Sequence, residues 1–238
     1  MQHTTPFSIC NTISTAWHNV RGSKGSLWAA IFIIALITVA IYLVGFVFGL
    51  FSHRLAHAVG FIDAIIKNIL TFGILYMGIQ HVKGLPISFR MLGRVLNSSR
   101  LINIVCLLIL LFLIGTIPSL ILGGLAHYVH IHGGMIAHVF ISLPLYCIAA
   151  ILLIYLSLRM TLAPGYLMDQ QLEPWAAVKA SFASTKGHVW SLFWINVVNV
   201  LILIIAAIPI FIGWIWAIPY LFVCYGTIYN KLAIPEKP

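Results

Sequence analysis

From Leu27 to Phe51 the chain runs without one charged residue. No other feature constrains the fold as tightly, because crossing the hydrocarbon core of a bilayer takes about 20 consecutive apolar residues. Arg21 and Lys24 precede the run, a basic flank that a secretory leader would also carry. Leader cores are only about 7–15 residues long, and no small-x-small cleavage site follows here. The run therefore predicts a retained first transmembrane helix. Further apolar runs cover Phe61–Val82, Leu101–Leu122, Met135–Leu158 and Val189–Leu232. The last is too long for one helix and is interrupted by Pro209, Gly213 and Pro219. Proline and glycine punctuate such runs, so it divides into two helices near Pro209–Gly213. The expected fold is all-α, a polytopic membrane protein with six transmembrane helices. A barrel would need short alternating segments, and only closed helices satisfy their own backbone groups in lipid.

Composition excludes the alternatives. Apolar residues make up 62% of the chain and charged ones 7%, against about 25% charged in an ordinary soluble domain. Intrinsic disorder needs low hydrophobicity and is excluded as well. The expected organisation is a cytoplasmic N-terminal segment (1–26), a six-helix transmembrane domain (27–232) and a cytoplasmic tail (233–238). Little chain is left for a catalytic domain, and four acidic residues offer few general acids or bases. No glycine-rich phosphate loop, nucleophile elbow or HExxH motif occurs. The expectation is a non-enzymatic protein with no catalytic, cofactor-binding or metal residues assigned.

Basic residues set the threading, since they concentrate in cytoplasmic loops. With six spans, only Arg54 and Lys67 of the thirteen basic residues fall on the outer side. Arg21, Lys24, Lys83, Arg90, Arg94, Arg100, Arg159, Lys179, Lys186, Lys231 and Lys237 share the side of both termini. Both termini are therefore expected in the cytoplasm of a bacterial cell, with the chain in its inner membrane. The net charge of +9 then serves topology. It implies attraction to anionic lipid headgroups at the cytoplasmic face, about 1 kcal/mol per nearby basic residue. No nucleic-acid partner is expected, because no clustered basic module accompanies the charge.

Two cytoplasmic loops predict short amphipathic helices lying in the membrane interface. In the first, Leu85, Phe89, Leu92 and Leu96 recur at helical spacing, with Arg90 and Arg94 on another face. In the second, Pro174 opens a helix, Trp175, Val178 and Phe182 form the apolar stripe, and Gly187 supplies the stop. Such elbows suffice to fix the next helix; lipid sensing or partner docking is the functional alternative. Leu85-Pro86 and Glu173-Pro174 precede the two elbows, and Ile114-Gly115-Thr116-Ile117-Pro118 is echoed by Ile205-Ala206-Ala207-Ile208-Pro209. This suggests a repeated helix–elbow–helix unit, a construction also found in transporters.

The stretch from Ser157 to His188 carries a resemblance. Leu158-Arg159, Leu162-Ala163-Pro164, Glu173-Pro174-Trp175-Ala176-Ala177, Ser181-Phe182 and Lys186-Gly187-His188-Val189-Trp190 resemble the signature of a broad bacterial group. That group comprises the YciC-like uncharacterised inner-membrane proteins and the membrane domain attached to some glycerophosphodiester phosphodiesterases. Ile218-Pro219 through Tyr229 is similar too. The resemblance implies a six-helix membrane domain without an assigned reaction; the phosphodiesterase activity belongs to a domain for which this chain has no space.

Of ten histidines, six are expected on the outer side: His53, His57, His127, His130, His132 and His138. His53 and His57 are four apart, and His127, His130 and His132 share one loop. Imidazole suits zinc, copper or nickel, but no cysteine accompanies them and Asp63 is the nearest acid. Interfacial side chains with polar tips are the plainer reading; whether His127, His130 and His132 bind metal is left open. Asp63 and Lys67 form an acid-to-base pair four residues apart within the first two turns of the second predicted helix, where a local ion pair is expected. Asn103, Asn196 and Asn199 predict interhelical hydrogen bonds. Gly45 and Gly49 form a GxxxG that admits close approach of another helix of this chain or of a second copy, so a homo-oligomer or another membrane-protein partner stays open. Cys10, Cys106, Cys147 and Cys224 show no paired spacing. Asp169 and Glu173 are placed at an acidic helix start. The leading functional expectation is a role in envelope or lipid homeostasis or in membrane assembly. The alternative is a small transporter or channel for a metal ion or amphipathic solute.

Overall fold

A computed structural model describes residues 8–96, 98–134, 138–208 and 212–233. Among these the regular structure is helical throughout. Helix α1 (Ile9–Asn19) leads into α2 (Lys24–Phe51) and α3 (His53–Val82), and a 3-10 helix (Phe89–Leu96) leads into α4 (Ser98–His132). After a π-helical turn (His138–Ser142) come α5 (Leu143–Met160), α6 (Ala163–Asp169), α7 (Pro174–Ser184), α8 (Val189–Ala207) and α9 (Trp214–Ala233).

Five helical stretches are long and apolar enough to cross a membrane: Lys24–Phe51, His53–Val82, Arg100–His132, Val139–Asp169 and Val189–Ala207. Each falls on one of the expected spans. Two of them extend well beyond the apolar runs, because α3 starts at His53 rather than Phe61 and α4 continues to His132 rather than Leu122. Polar residues continue a helix wherever backbone bonding continues, so hydropathy marks the buried part of a span and not its end. The second half of the final run forms α9, of comparable length but interrupted by Pro219 and carrying Tyr220, Tyr225 and Tyr229. Of the expected break at Pro209–Gly213, Pro209 to Phe211 lie outside the described residues.

Helices α2 and α3 form one long hairpin and α4 and α5 another. In the first, Gly45 faces Val59 and Gly49 faces Ala56, so the GxxxG serves an intrachain contact. The hairpins share a core at one end, here called the base, where α2 and α4 begin and α3 and α5 finish. Leu27, Ala30, Phe72, Met77, Ile104, Leu107 and Leu162 are buried there with Tyr220, Val223 and Tyr229 of α9. No described residue between 35 and 64 or between 115 and 157 belongs to that core. Along those distal stretches Tyr42, Phe46, Leu50, Ile117, Leu120 and Ile151 stay exposed, as side chains facing lipid would.

Helix α9 closes the base. Its first turn meets the first turn of α2, where Trp28 Nε1 donates to the Ile215 carbonyl at 3.0 Å. Its last turn meets the end of α3 through Tyr229, described below. Between them Gly78 of α3 and Gly226 of α9 bring two backbones into direct contact, Gly78 against the Phe222 carbonyl and Gly226 against the Gly78 carbonyl. Only residues lacking a Cβ permit this approach.

Three details of packing go beyond the sequence. In the N-terminal segment α1 packs on α9, with Thr12, Ala16 and Val20 buried. In the first elbow the helix is 3-10, and Leu92 and Val95 are the buried pair, three apart as that helix requires, pressed against Gly73. Leu85 and Phe89 stay exposed, and the side chains of Arg94 and Leu96 lie outside the described residues. In the second elbow Pro174 does open the helix, but Ala177, Val178 and Ser181 face inward while Trp175 is 54% exposed. The small residues win because Ser181 Oγ donates to the Arg159 carbonyl at 2.7 Å and accepts from the Leu162 amide at 3.2 Å.

Candidate amphipath-binding site

A groove of about 520 Å³ opens on the flank of the first hairpin, bounded by α2, α3 and α9. Its walls are apolar: Ile31 and Ile34 from α2, Ile74 from α3, Ile218 and Phe222 from α9. Its floor is a stripe on α3 made of Ala64, Lys67, Asn68 and Thr71, positions three and four apart that share a helix face. Asn68 Nδ2 donates to the Ala64 carbonyl and Thr71 Oγ1 to the Lys67 carbonyl, each at 2.8 Å. Bonding back to their own helix lowers the cost of holding these groups in an apolar setting.

Lys67 is paired with Asp63 at 2.8 Å, as the spacing predicts. The placement of the pair differs from expectation. Because α3 begins at His53, Asp63 and Lys67 lie three to four turns inside it, roughly 15–20 Å along the axis at 1.5 Å per residue. Asp63 Oδ1 is buried without a hydrogen-bond partner among the described residues, so one carboxylate oxygen depends wholly on its neighbour's charge. An ionisable pair at such a depth marks a functional face by default. Chemically, the groove offers one ammonium, one amide and one hydroxyl at the foot of isoleucine walls. That suits a molecule with an apolar chain and an anionic or hydrogen-bond-accepting group.

A second polar cluster lies at the base. Asp169 ends α6 and is 8% exposed. Its carboxylate accepts from Lys83 Nζ at 2.5 and 2.7 Å, from Gln80 Nε2 at 3.2 Å and from the Tyr229 hydroxyl at 3.1 Å. Asp169 therefore ties α6 to α3 and α9 and does not begin a helix; of the two acids only Glu173 stands at a helix start, preceding α7. Nearby, the Gly165 amide donates to the Tyr225 hydroxyl at 2.9 Å. This cluster fastens the helices that shape the groove.

The histidines expected on the outer side divide between two hairpin tips. The rings of His53 and His57 stack at 4.4 Å, and His132 packs on Tyr128 at 4.6 Å. Among the described residues no three metal-ligating side chains converge; the side chain of His138 is outside them. Asn196 bonds to the Leu192 carbonyl of its own helix, and Asn199 meets Cys224 of α9 at 3.8 Å. None of Asn103, Asn196 and Asn199 lines the groove. Cys224 is buried, Cys10, Cys106 and Cys147 are exposed, and all four are free.

From the sequence Lys67 was expected in an ion pair with Asp63, and Asn68 and Thr71 were given no role at a site. The available signal was their spacing, polar residues on one stripe of an otherwise apolar helix. Comparison with protein-family models, curated proteins and solved structures finds no match for the chain.

Proposed function

We propose that the chain is a non-enzymatic multi-pass protein of the bacterial inner membrane that holds an amphipathic lipid on its flank and serves envelope or lipid homeostasis. The observation that carries this reading is the flank groove, with Lys67 at the foot of its isoleucine walls. The exposed distal faces of both hairpins support a membrane setting. In this reading the base, across which α9 lies with both its ends, faces the cytoplasm with its basic residues. The two elbows then lie in the inner interface. The resemblance of Ser157–His188 to YciC-like proteins agrees with such a role.

Filling the groove tests it. Ala64→Trp should lower the lipid retained by the purified full chain about tenfold or more, as judged by native mass spectrometry, because an indole takes the space of the apolar chain. The melting temperature should stay near that of the unaltered protein. Unchanged lipid retention in a folded variant would overturn the reading, and zinc uptake by proteoliposomes would establish the transport alternative.

Threading has its own test. In a cysteine-free background, Ser52→Cys should react with a membrane-impermeant maleimide in intact cells. Lys186→Cys and Ala233→Cys should react only after permeabilisation. Labelling of Lys186→Cys or Ala233→Cys in intact cells would overturn the cytoplasmic placement of the base.

A further inference from the structure

The turn between α1 and α2 forms a second cavity, of about 430 Å³, lined by Trp17, His18, Val20, Arg21, Lys24 and Trp216. Its walls are fixed from several directions. Val20 and Ser23 are buried in the turn, and Ser23 Oγ donates to the Val20 carbonyl at 2.9 Å. Gly22 holds a left-handed conformation at φ +89°, which presents Arg21 and Lys24 on the same side as the indoles. Trp17 packs on Tyr220 at 5.3 Å, His81 Nε2 lies 2.6 Å from the Asn19 carbonyl, and the Trp28–Ile215 bond positions the start of α9 that carries Trp216. The pocket is thus preformed.

Its charge is one-sided. No carboxylate lines it, and neither Arg21 nor Lys24 forms a salt bridge among the described residues. Of the four acids, Asp63 is bound to Lys67, Asp169 to Lys83, Glu173 stands before α7, and Glu236 is outside the described residues. The Lys24 ammonium lies over the Trp216 ring at 5.1 Å, which orients its charge without neutralising it. Two cations beside amphipathic indoles, with no carboxylate in the lining, suit an anion, and arginine with its planar fork is the side chain best matched to phosphate oxygens. Depth narrows the source. The pocket lies where α2 enters its uncharged run, the level at which tryptophan and basic residues meet headgroups.

We propose that this pocket binds a phosphate group, that of an anionic phospholipid headgroup or of a free phosphate. For its depth the proposal rests on the membrane reading above, but it is independent of the flank groove. Native mass spectrometry of the full chain in non-ionic detergent, titrated with phosphatidylglycerol and with diacylglycerol as the phosphate-free comparison, tests it. Arg21→Gln/Lys24→Gln should weaken phosphatidylglycerol binding about tenfold or more, the scale of one lost charge-assisted contact. Lys179→Gln/Lys186→Gln, with the same loss of charge on α7, should bind as the unaltered protein does. Arg21→Lys should keep part of the binding, which guards against misfolding as the cause. Displacement of the lipid by millimolar inorganic phosphate assigns free phosphate as the ligand; lack of displacement assigns the headgroup. Undiminished binding in Arg21→Gln/Lys24→Gln, or an equal loss in the α7 variant, overturns the proposal. Ala64→Trp should leave this binding intact, so failure of the groove reading and failure of the phosphate site give different results.

Discussion

Gly78→Ala should destabilise the protein more than any other single-methyl addition. The added Cβ would meet the Phe222 carbonyl, a backbone atom of α9 that cannot rotate away. Relief requires α9 to shift bodily, yet α9 is held at its start by Trp28 and at its end by Asp169. Overpacking commonly costs about 1–3 kcal/mol, and backbone-on-backbone contact belongs at or above the top of that range. Gly226→Ala attacks the same crossing from the other helix, against the Gly78 carbonyl. The double variant should cost less than the two single losses combined, because both relieve the same crossing. Gly123→Ala is the control: nothing lies within 4 Å of its added Cβ, and alanine is the better helix former. Thermal unfolding in detergent, followed by circular dichroism, should show a large fall in Tm for the first two and none for Gly123→Ala. An unchanged Tm for Gly78→Ala would mean that α9 does not sit on α3 as described.

The second large effect lies in the basal ion pair. Asp169→Asn keeps the shape of the side chain but leaves the Lys83 ammonium, only 25% exposed, without a counter-charge. Removing one partner of a buried pair costs about 3–5 kcal/mol, and the partial exposure of Lys83 sets the expected loss at the lower end. Lys83→Met alone should cost a similar amount by leaving the carboxylate with only neutral donors, Gln80 and Tyr229. Lys83→Met/Asp169→Leu should recover most of the stability, since an apolar pair of similar volume needs no solvation. A double-mutant cycle read by chemical or thermal unfolding gives the coupling directly. Losses that simply add would show that the pair contributes nothing as a pair.

How far the sequence went follows from what each signal measures. An uncharged run reports the apolar environment of a segment, so the five long apolar helices were legible, with their positions. It does not report where helical bonding ends, and α3 and α4 run on through His53 and His132. Helix α1 escaped notice because its segment is polar on average, although Ile9, Ile13, Ala16 and Val20 recur at helical spacing and pack into or against the core. Which residues of the two elbows pack on the bundle was not legible, because the apolar stripes were read only as lying in the membrane interface. Gly73 instead admits Leu92, and Ser181 answers backbone groups of another helix. The Lys83–Asp169 bond joins residues far apart in the chain, and one sequence carries no periodic signature of such a contact. Lys67, Asn68 and Thr71 were visible as a stripe, but only α9 arriving alongside turns the stripe into the floor of a groove.

Because the shared core stops at the base, the two hairpins behave as levers hinged at one end. A 30-residue helix is about 45 Å long, so each degree of tilt at the base moves a tip by about 0.8 Å. Beyond the base no described core residue fixes the separation of the tips, while the glycine crossing and the Asp169 clamp hold the fulcrum together.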